Sequence, residues 1–175
     1  MSMMTPVTVK GFFTAIQEGN AEVVEKSLQA DTNLCNAEDE NGLIALGVAA
    51  HYGQLEIVRL LMNYGADINS ASNSKVSYIP SNSALHAAIA GKAPNEMIEF
   101  LLLEGADINS IDSAGYSPMH IAAFDGDEDL VLLLLKFKGD PESRNAVSQK
   151  SPYEIAHDRG NSGFINACES YSNQI

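Results

Sequence analysis

The fold is decided by a six-residue stretch, Gly65-Ala66-Asp67-Ile68-Asn69-Ser70, which recurs unchanged as Gly105-Ala106-Asp107-Ile108-Asn109-Ser110. A degraded third copy, Lys138-Gly139-Asp140-Pro141, begins 33 residues after the second. Each copy follows an apolar stretch with helical spacing, such as Ile57-Val58-Arg59-Leu60-Leu61-Met62. Self-similarity at this period indicates a stack of repeated units, each packed on its neighbours.

A second repeated feature lies between these copies. It is a helix of small residues that ends at a glycine, with an alanine four residues earlier. The pairs are Ala15/Gly19, Ala49/Gly53, Ala122/Gly126 and Ala156/Gly160. Two helices per unit at a period of about 33 residues are typical of ankyrin repeats.

The chain resembles the ankyrin-repeat family most clearly at Asp112-Ser113-Ala114-Gly115-Tyr116-Ser117-Pro118-Met119-His120-Ile121-Ala122-Ala123. Weaker copies of this motif are Ser83-Ala84-Leu85-His86 and Ser151-Pro152-Tyr153-Glu154, and Ile44-Ala45-Leu46-Gly47 departs furthest from it. The resemblance covers about residues 9–171. It implies that His86 and His120 hydrogen-bond the neighbouring loop.

The same resemblance implies an all-α fold, a solenoid of stacked helix-turn-helix pairs joined by β-hairpin loops. We expect a single domain over 1–175, with a capping repeat at about 9–36, inner repeats at 37–69, 70–109 and 110–142, and a C-terminal cap at about 143–172. Large apolar residues are expected to close the core: Phe12, Phe13 and Ile16 at one end, and Tyr153, Ile155, Phe164 and Ile165 at the other.

Local signals agree with this register. Ser117 and Ser151 can cap the first helices of their units, each followed by a proline where the missing N–H costs nothing. Second helices are predicted to start after the capping residues Asn20, Asn95, Asp127 and Asn161. Glycines at 65 and 105 can then adopt the left-handed conformation that ends a helix.

One loop is longer than the repeat requires. Six extra residues lie within Ser70–Asn82, and the segment contains the apolar residues Val76, Tyr78, Ile79 and Pro80. Two interpretations stay open: tolerated variation of a surface loop, or a finger that contacts a partner.

Composition excludes several classes of protein. Ten basic and 23 acidic residues give a net charge of −13, which argues against nucleic-acid binding. No apolar run approaches the ~20 residues of a membrane span, and the N-terminal residues do not resemble a secretory signal. Cys35 and Cys168 lie near opposite ends of the chain and are not expected to pair. We therefore expect a cytoplasmic monomer.

Catalytic and cofactor motifs fail on inspection. Asp125-Gly126-Asp127-Glu128-Asp129 begins like a calcium loop, but Leu130 and Lys136 stand where glycine and glutamate are required. Gly91-Lys92 lacks the hydroxyl residue of a phosphate loop. We expect no cofactor, no metal and no enzymatic activity.

The resemblance implies that partners contact hairpin tips and the exposed face of the first helices, which together form a concave surface. The family's variable positions give the expected partner-binding residues: Glu40, Asn41, Leu43, His51, Tyr52, Tyr78, Ile79, Lys92, Ser113, Tyr116, Phe124, Asp125, Asp158 and Arg159. Tyr52, Tyr116 and Phe124 are expected to form a solvent-facing aromatic strip rimmed by Glu40, Asp125 and Asp158, suited to a partner with a basic surface. The alternative is that these aromatic residues pack on one another or on the long loop.

Three function classes follow. The first is a general protein-interaction adaptor or scaffold. The second is a dedicated inhibitor or immunity-type protein that blocks one enzyme or toxin, for which the acidic charge suits a basic target. The third is an enzyme, which no motif supports.

Overall fold

The computed structural model describes residues 8–173. Met1–Val7, where the sequence indicates no secretory signal, and the last two residues lie outside this range. Within it the chain forms ten α-helices and one 3-10 helix over Thr32–Asn36. The helices are α1 Val9–Gln17, α2 Ala21–Ala30, α3 Ala45–His51, α4 Leu55–Asn63, α5 Ala84–Ala90, α6 Asn95–Leu103, α7 Pro118–Asp125, α8 Glu128–Lys136, α9 Pro152–Arg159 and α10 Ser162–Ser172.

The helices form five consecutive pairs, which makes the fold an all-α repeat solenoid as predicted. None of the described helices is long and apolar enough to cross a membrane. The connections are turns: between residues 8 and 173 a β-bridge occurs only at Glu38–Ile44, so β-hairpin is too strong a term for the other loops. The unit boundaries given above stay a prediction.

Helix starts follow the predicted capping chemistry with one correction. Ser117 and Ser151 each form a capping box with the residue three positions on, and Asn20, Asp127 and Asn161 accept hydrogen bonds from the first turn of their helices. The exception is α6, where Asn95 is the first helical residue and not the cap. Pro94 takes the cap position because its extended backbone lets its carbonyl accept from the amides of Met97 and Ile98.

The core is continuous from the first unit to the last. Phe12, Phe13 and Ile16 are buried at one end as expected. At the other end Ile155 and Phe164 are buried, whereas Tyr153 and Ile165 are only partly buried. Fully buried alanines on the first helices let neighbouring units pack closely: Ala49, Ala88, Ala122 and Ala156.

Two histidines connect neighbouring units, which confirms the prediction for both. His86 Nε2 donates to the Tyr116 carbonyl at 3.0 Å, and His120 Nε2 donates to the Lys150 carbonyl at 3.2 Å. The Nδ1 atom of each ring lies 2.8 Å from the hydroxyl of its helix-capping serine. Burial lowers the pKa of both histidines below the usual value, so the neutral ring is favoured.

Candidate partner-binding surface

The long loop of the third unit is an ordered finger, Ser72–Asn82. Its base is closed by hydrogen bonds from the Ser72 amide to the Asn82 carbonyl (2.9 Å) and from the Asn82 amide to the Ser72 hydroxyl (3.0 Å). The Ser74 amide donates to the Ser81 hydroxyl at 3.0 Å, one step further along. At the tip, the Ile79 amide donates to the Val76 carbonyl and closes a turn. The extra residues therefore have a defined conformation.

The finger is attached to the loops on both sides of it. On one side the amides of Asn73 and Lys75 donate to the carbonyls of Gly42 (2.8 Å) and Asn41 (2.9 Å). On the other side the Ser113 amide donates to the Ser81 carbonyl, and the Ser81 amide donates to the Ser113 hydroxyl, both at 2.9 Å. The predicted contact residues Asn41 and Ser113 thus also hold the finger in place.

Gly42 shows how closely the finger sits on the second unit. Its φ is +75°, and a Cβ at this position would lie 1.9 Å from the Asn73 carbonyl oxygen. Only glycine fits here, because any side chain would displace the finger backbone.

A groove of about 360 Å³ lies between the finger and the helices α3 and α5. We call it the finger groove. Among its lining residues are Gln17, Leu43, Val48, His51, Tyr52, Tyr78, Ile79, Pro80, Asn82 and Ala87. Tyr52 and Tyr78 are 52% and 83% exposed, which leaves them available to contact another molecule.

The finger groove brings together five of the predicted contact residues: Leu43, His51, Tyr52, Tyr78 and Ile79. The other lining residues, which include Gln17, Val48 and Asn82, were not among the predicted contact residues. The repeat register contains a signal for the first, because Gln17 stands two residues before Gly19 just as His51 stands two before Gly53.

A second, smaller depression lies at the C-terminal end and is lined by Tyr116, Phe124, Ile155, Asp158 and Arg159, among others. The rings of Tyr116 and Phe124 meet edge to face with centroids 5.8 Å apart. The Arg159 guanidinium lies 5.2 Å from the Phe124 ring centroid, and its Nε donates to the Phe124 carbonyl at 3.2 Å. We call these three residues the capped aromatic pair.

This arrangement corrects the expected aromatic strip. Tyr116 and Phe124 are partly buried and do not face solvent freely, because they pack on each other and Phe124 also lies under Arg159. Tyr52 lines the finger groove and makes no ring contact with either of them within the described residues. The alternative, that aromatic residues pack together, holds for two of the three.

The expected acidic rim is also corrected in part. Asp125 lies 2.6 Å from Lys92 Nζ, and Asp158 lies 2.6 Å from Lys150 Nζ, so both carboxylates are already paired. Glu40 is exposed and forms no salt bridge within residues 8–173. Of the three expected rim carboxylates, Glu40 is thus the one without a cation in the described residues, and it lies next to Asn41, whose carbonyl accepts from the finger residue Lys75.

The cysteines, which could act as nucleophiles or metal ligands, are buried in the fold. Cys35 and Cys168 are free and buried, and burial raises the pKa of the Cys168 thiol to about 11. Cys35 Sγ lies 3.2 Å from the Tyr64 carbonyl oxygen. Over the described part of the chain, no three His, Cys, Asp or Glu side chains group as metal ligands.

Comparison with known proteins agrees with the repeat register. A family model described as ankyrin repeats (3 copies) matches residues 12–112 and again 85–169. An ankyrin repeat protein of Fowlpox virus is 29% identical over 136 residues, which are 75% of this chain and 38% of that protein. The NF-kappa-B p105 subunit of Gallus gallus is 31% identical over 65% of this chain and 11% of its own length. The B-cell lymphoma 3 protein homolog of Mus musculus is 34% identical over 67% of this chain and 25% of its own. The chain thus spans well under two thirds of each of these relatives.

Proposed function

The chain belongs to the ankyrin-repeat family, and on that premise we propose that it is a non-catalytic module that binds a partner protein through its concave face and hairpin tips. Ankyrin repeats are generally protein–protein interaction modules, so the family sets the class of function. Which surface binds, and which partner, depends on residues particular to this chain.

The observation that carries the proposal is the finger groove. Tyr52 and Tyr78 expose large aromatic surface beside a concave apolar floor, and aromatic residues dominate the energetics of interfaces. The finger is held by hydrogen bonds on both sides, so its backbone is positioned before a partner arrives. Preorganisation of this kind lowers the entropic cost of binding.

The other predicted contact residues are proposed as a wider rim of the same surface. Glu40 and Asn41 lie at the neighbouring tip, and Ser113 lies where the finger joins the fourth unit. The rest of the rim comprises Lys92, Asp125, Asp158 and Arg159, and the partly buried Tyr116 and Phe124 support it through the packing of Phe124 against Tyr116 and Arg159.

The absence of catalysis is part of the proposal and rests on how the reactive groups are used. Both ring nitrogens of His86 and His120 are occupied: Nδ1 contacts the serine that caps the same helix, and Nε2 donates to a carbonyl of the next unit. The cysteine pKa values are raised, which disfavours the nucleophilic thiolate. Free, buried cysteines also suit the reducing cytoplasm, where we propose that the protein acts as a monomer.

Affinity capture from the native cell extract tests the proposal. The wild-type chain is compared with the double variant Tyr52→Ala/Tyr78→Ala and with Ile111→Ala/Val147→Ala. The second pair is a matched control, since Ile111 and Val147 are 68% and 84% exposed and lie on other loops. We expect one or more proteins that the wild type and the control recover and the groove variant does not.

Two other outcomes are informative. Recovery of the same proteins by all three baits would contradict the finger groove as the binding site, while binding itself would stand. Recovery of nothing by any bait would count against the interaction function. If the only protein recovered is an enzyme and the chain abolishes its activity at equimolar ratio, the dedicated inhibitor replaces the adaptor.

A further inference from the structure

We propose that the finger groove binds an extended segment of the partner that carries two apolar side chains at positions i and i+2, flanked by lysine or arginine. This inference rests on the proposed function and specifies the partner's chemistry. Four features of the groove support it: its shape, its apolar floor, its free amide groups and the charges next to it.

The shape and floor favour two apolar side chains. The groove holds about 360 Å³ and its floor includes Leu43, Val48 and Ala87. In an extended chain the side chains at i and i+2 point to the same face, about 7 Å apart. Two such side chains would contact the apolar lining, to which Tyr52 and Tyr78 also belong.

The polar groups of the groove favour an extended main chain. Gln17 and Asn82 line the groove, and the carboxamide of neither forms a hydrogen bond to another residue between 8 and 173. Each offers one acceptor and two donors. An extended segment presents free carbonyl and amide groups that need such partners, whereas a helix satisfies its own backbone internally. We therefore infer an extended ligand and not a helical one.

The charges next to the groove favour basic flanks. Glu18 follows the lining residue Gln17, and Glu40 lies at the loop tip that leads to Leu43. Both are exposed, and in the described part of the chain neither forms a salt bridge. Asp39 is engaged differently, because its carboxylate accepts from the amides of Asn41 and Leu43 at 2.9 Å.

The finger contributes one cation, Lys75, which is exposed and also forms no salt bridge within the described residues. Two unpaired glutamates against one lysine leave a negative field at the groove, in keeping with the net charge of −13. Acidic flanks on the ligand would be repelled by this field.

The test is selection from a phage-displayed library of random dodecapeptides on the immobilised full chain. The enriched sequences are expected to share two apolar residues separated by one position, with lysine or arginine on at least one side. Synthetic, fluorescein-labelled copies of the enriched peptides are then titrated by fluorescence anisotropy.

Three protein variants decide where the peptides bind. Tyr52→Ala/Tyr78→Ala should weaken binding about tenfold or more, and Gln17→Ala should weaken it several-fold. Ile111→Ala/Val147→Ala should bind like the wild type. Urea unfolding of each variant checks that the exposed substitutions leave the fold intact. A peptide with both basic residues changed to glutamate should lose binding about tenfold.

The proposal is overturned by any of three results. These are enriched sequences that are acidic or lack the paired apolar residues, peptides that bind the Tyr52→Ala/Tyr78→Ala variant as tightly as the wild type, or no enrichment over an empty support. Failure here is distinguishable from failure of the proposed function. A partner captured from the extract by every bait would leave the interaction function standing while this groove and this ligand are rejected.

Discussion

The finger groove and the capped aromatic pair occupy comparable places at the ends of first helices, yet one is open and the other is closed. The difference lies in the next unit along the stack. Tyr52 and Arg159 both directly precede the glycine that follows their helix. Arg159 reaches back to cover Phe124, which stands two residues before Gly126 just as His51 stands two before Gly53. In the third unit the residue at the position of Arg159 is Gly91, which has no side chain.

Gly91 cannot easily be replaced. A Cβ on this residue would lie 2.2 Å from the His51 carbonyl oxygen, because α3 and α5 approach closely here. Close packing of the backbones therefore excludes a side chain at this position, so none reaches back over the second unit as Arg159 does over the fourth. In a repeat protein, the surroundings of a residue thus depend on the next unit along the stack.

The largest expected effect comes from replacing Gly42, against which the finger backbone packs. Gly42→Ala should destabilise the protein by about 3 kcal/mol, because it combines a positive φ with a clash at 1.9 Å against the Asn73 carbonyl. Gly65→Ala is the matched control: its φ is +98°, but no atom lies within 4 Å of the added Cβ, so we expect about 1 kcal/mol.

Urea unfolding measures both costs, and amide hydrogen exchange at Asn73 and Lys75 reports whether the finger has moved. Equal costs for the two variants would show that the finger does not press on the second unit. The finger groove would then no longer be a preformed open site that can be contrasted with the closed capped aromatic pair.

The next largest effect is the difference in free energy of unfolding lost when an aromatic residue of each region is removed. Phe124→Ala should cost about 2 kcal/mol, because the ring packs against Tyr116 and lies under Arg159. Tyr52→Ala should cost less than about 0.5 kcal/mol, since the ring is 52% exposed. Denaturation midpoints give both values, and a larger loss for Tyr52→Ala than for Phe124→Ala would reverse our assignment of structural and binding roles.

The pH dependence of stability should depend on the histidines that adjoin the capped aromatic pair. Burial lowers the pKa of His86 and His120, so around and below the unfolded value of about 6.5 the unfolded chain binds more protons than the folded one. Their contribution to stability is therefore complete above that pH and decreases as the pH falls.

We expect the urea midpoint to drop between pH 7.5 and 5.5, and the drop to be smaller in His120→Gln. The variant is less stable at every pH, because the hydrogen bond to the Lys150 carbonyl is lost. The informative quantity is how steeply its urea midpoint changes with pH. His157→Gln, in the exposed part of α9, shows what removal of a histidine does by itself. An undiminished slope in His120→Gln would mean that other groups cause the pH dependence.

The fold could be predicted from the sequence because it depends on local, repeated signals. The Gly-Ala-Asp-Ile-Asn-Ser copies, the serine caps and the histidine positions each recur in register, and all point to the same helix pairs. Asn95 shows the limit of such reasoning: it is a good capping residue, but the rigid backbone of Pro94 moved the helix start.

The site could be predicted only in part because it depends on contacts between units. Tyr116 and Phe124 fall at exposed positions of the repeat, and nothing within their own unit reveals that Arg159, 35 residues after Phe124, covers them. The partners Lys92 and Lys150 of the expected acidic rim come likewise from other segments. The length and apolar character of the loop pointed to the finger, but not to the groove that it forms with Gln17.

The smallest expected effect concerns charge and gives the finest distinction between the regions. Glu40→Gln and Asp158→Asn each remove one negative charge. Glu40 forms no salt bridge within residues 8–173, whereas Asp158 already neutralises Lys150 at 2.6 Å. Charges at the rim of an interface act mainly on the association rate. We therefore expect Glu40→Gln to slow association of a basic groove-binding peptide about two- to threefold at low salt. Asp158→Asn should leave this rate unchanged.

Stopped-flow anisotropy measures the rate, and the effect of Glu40→Gln should disappear in about 0.5 M salt, where the screening length is only a few ångströms. Slower association in both variants would mean that the peptide responds to the charge of the whole chain. Equal dissociation rates for the wild type and Glu40→Gln would show that Glu40 attracts the ligand without contacting it in the complex.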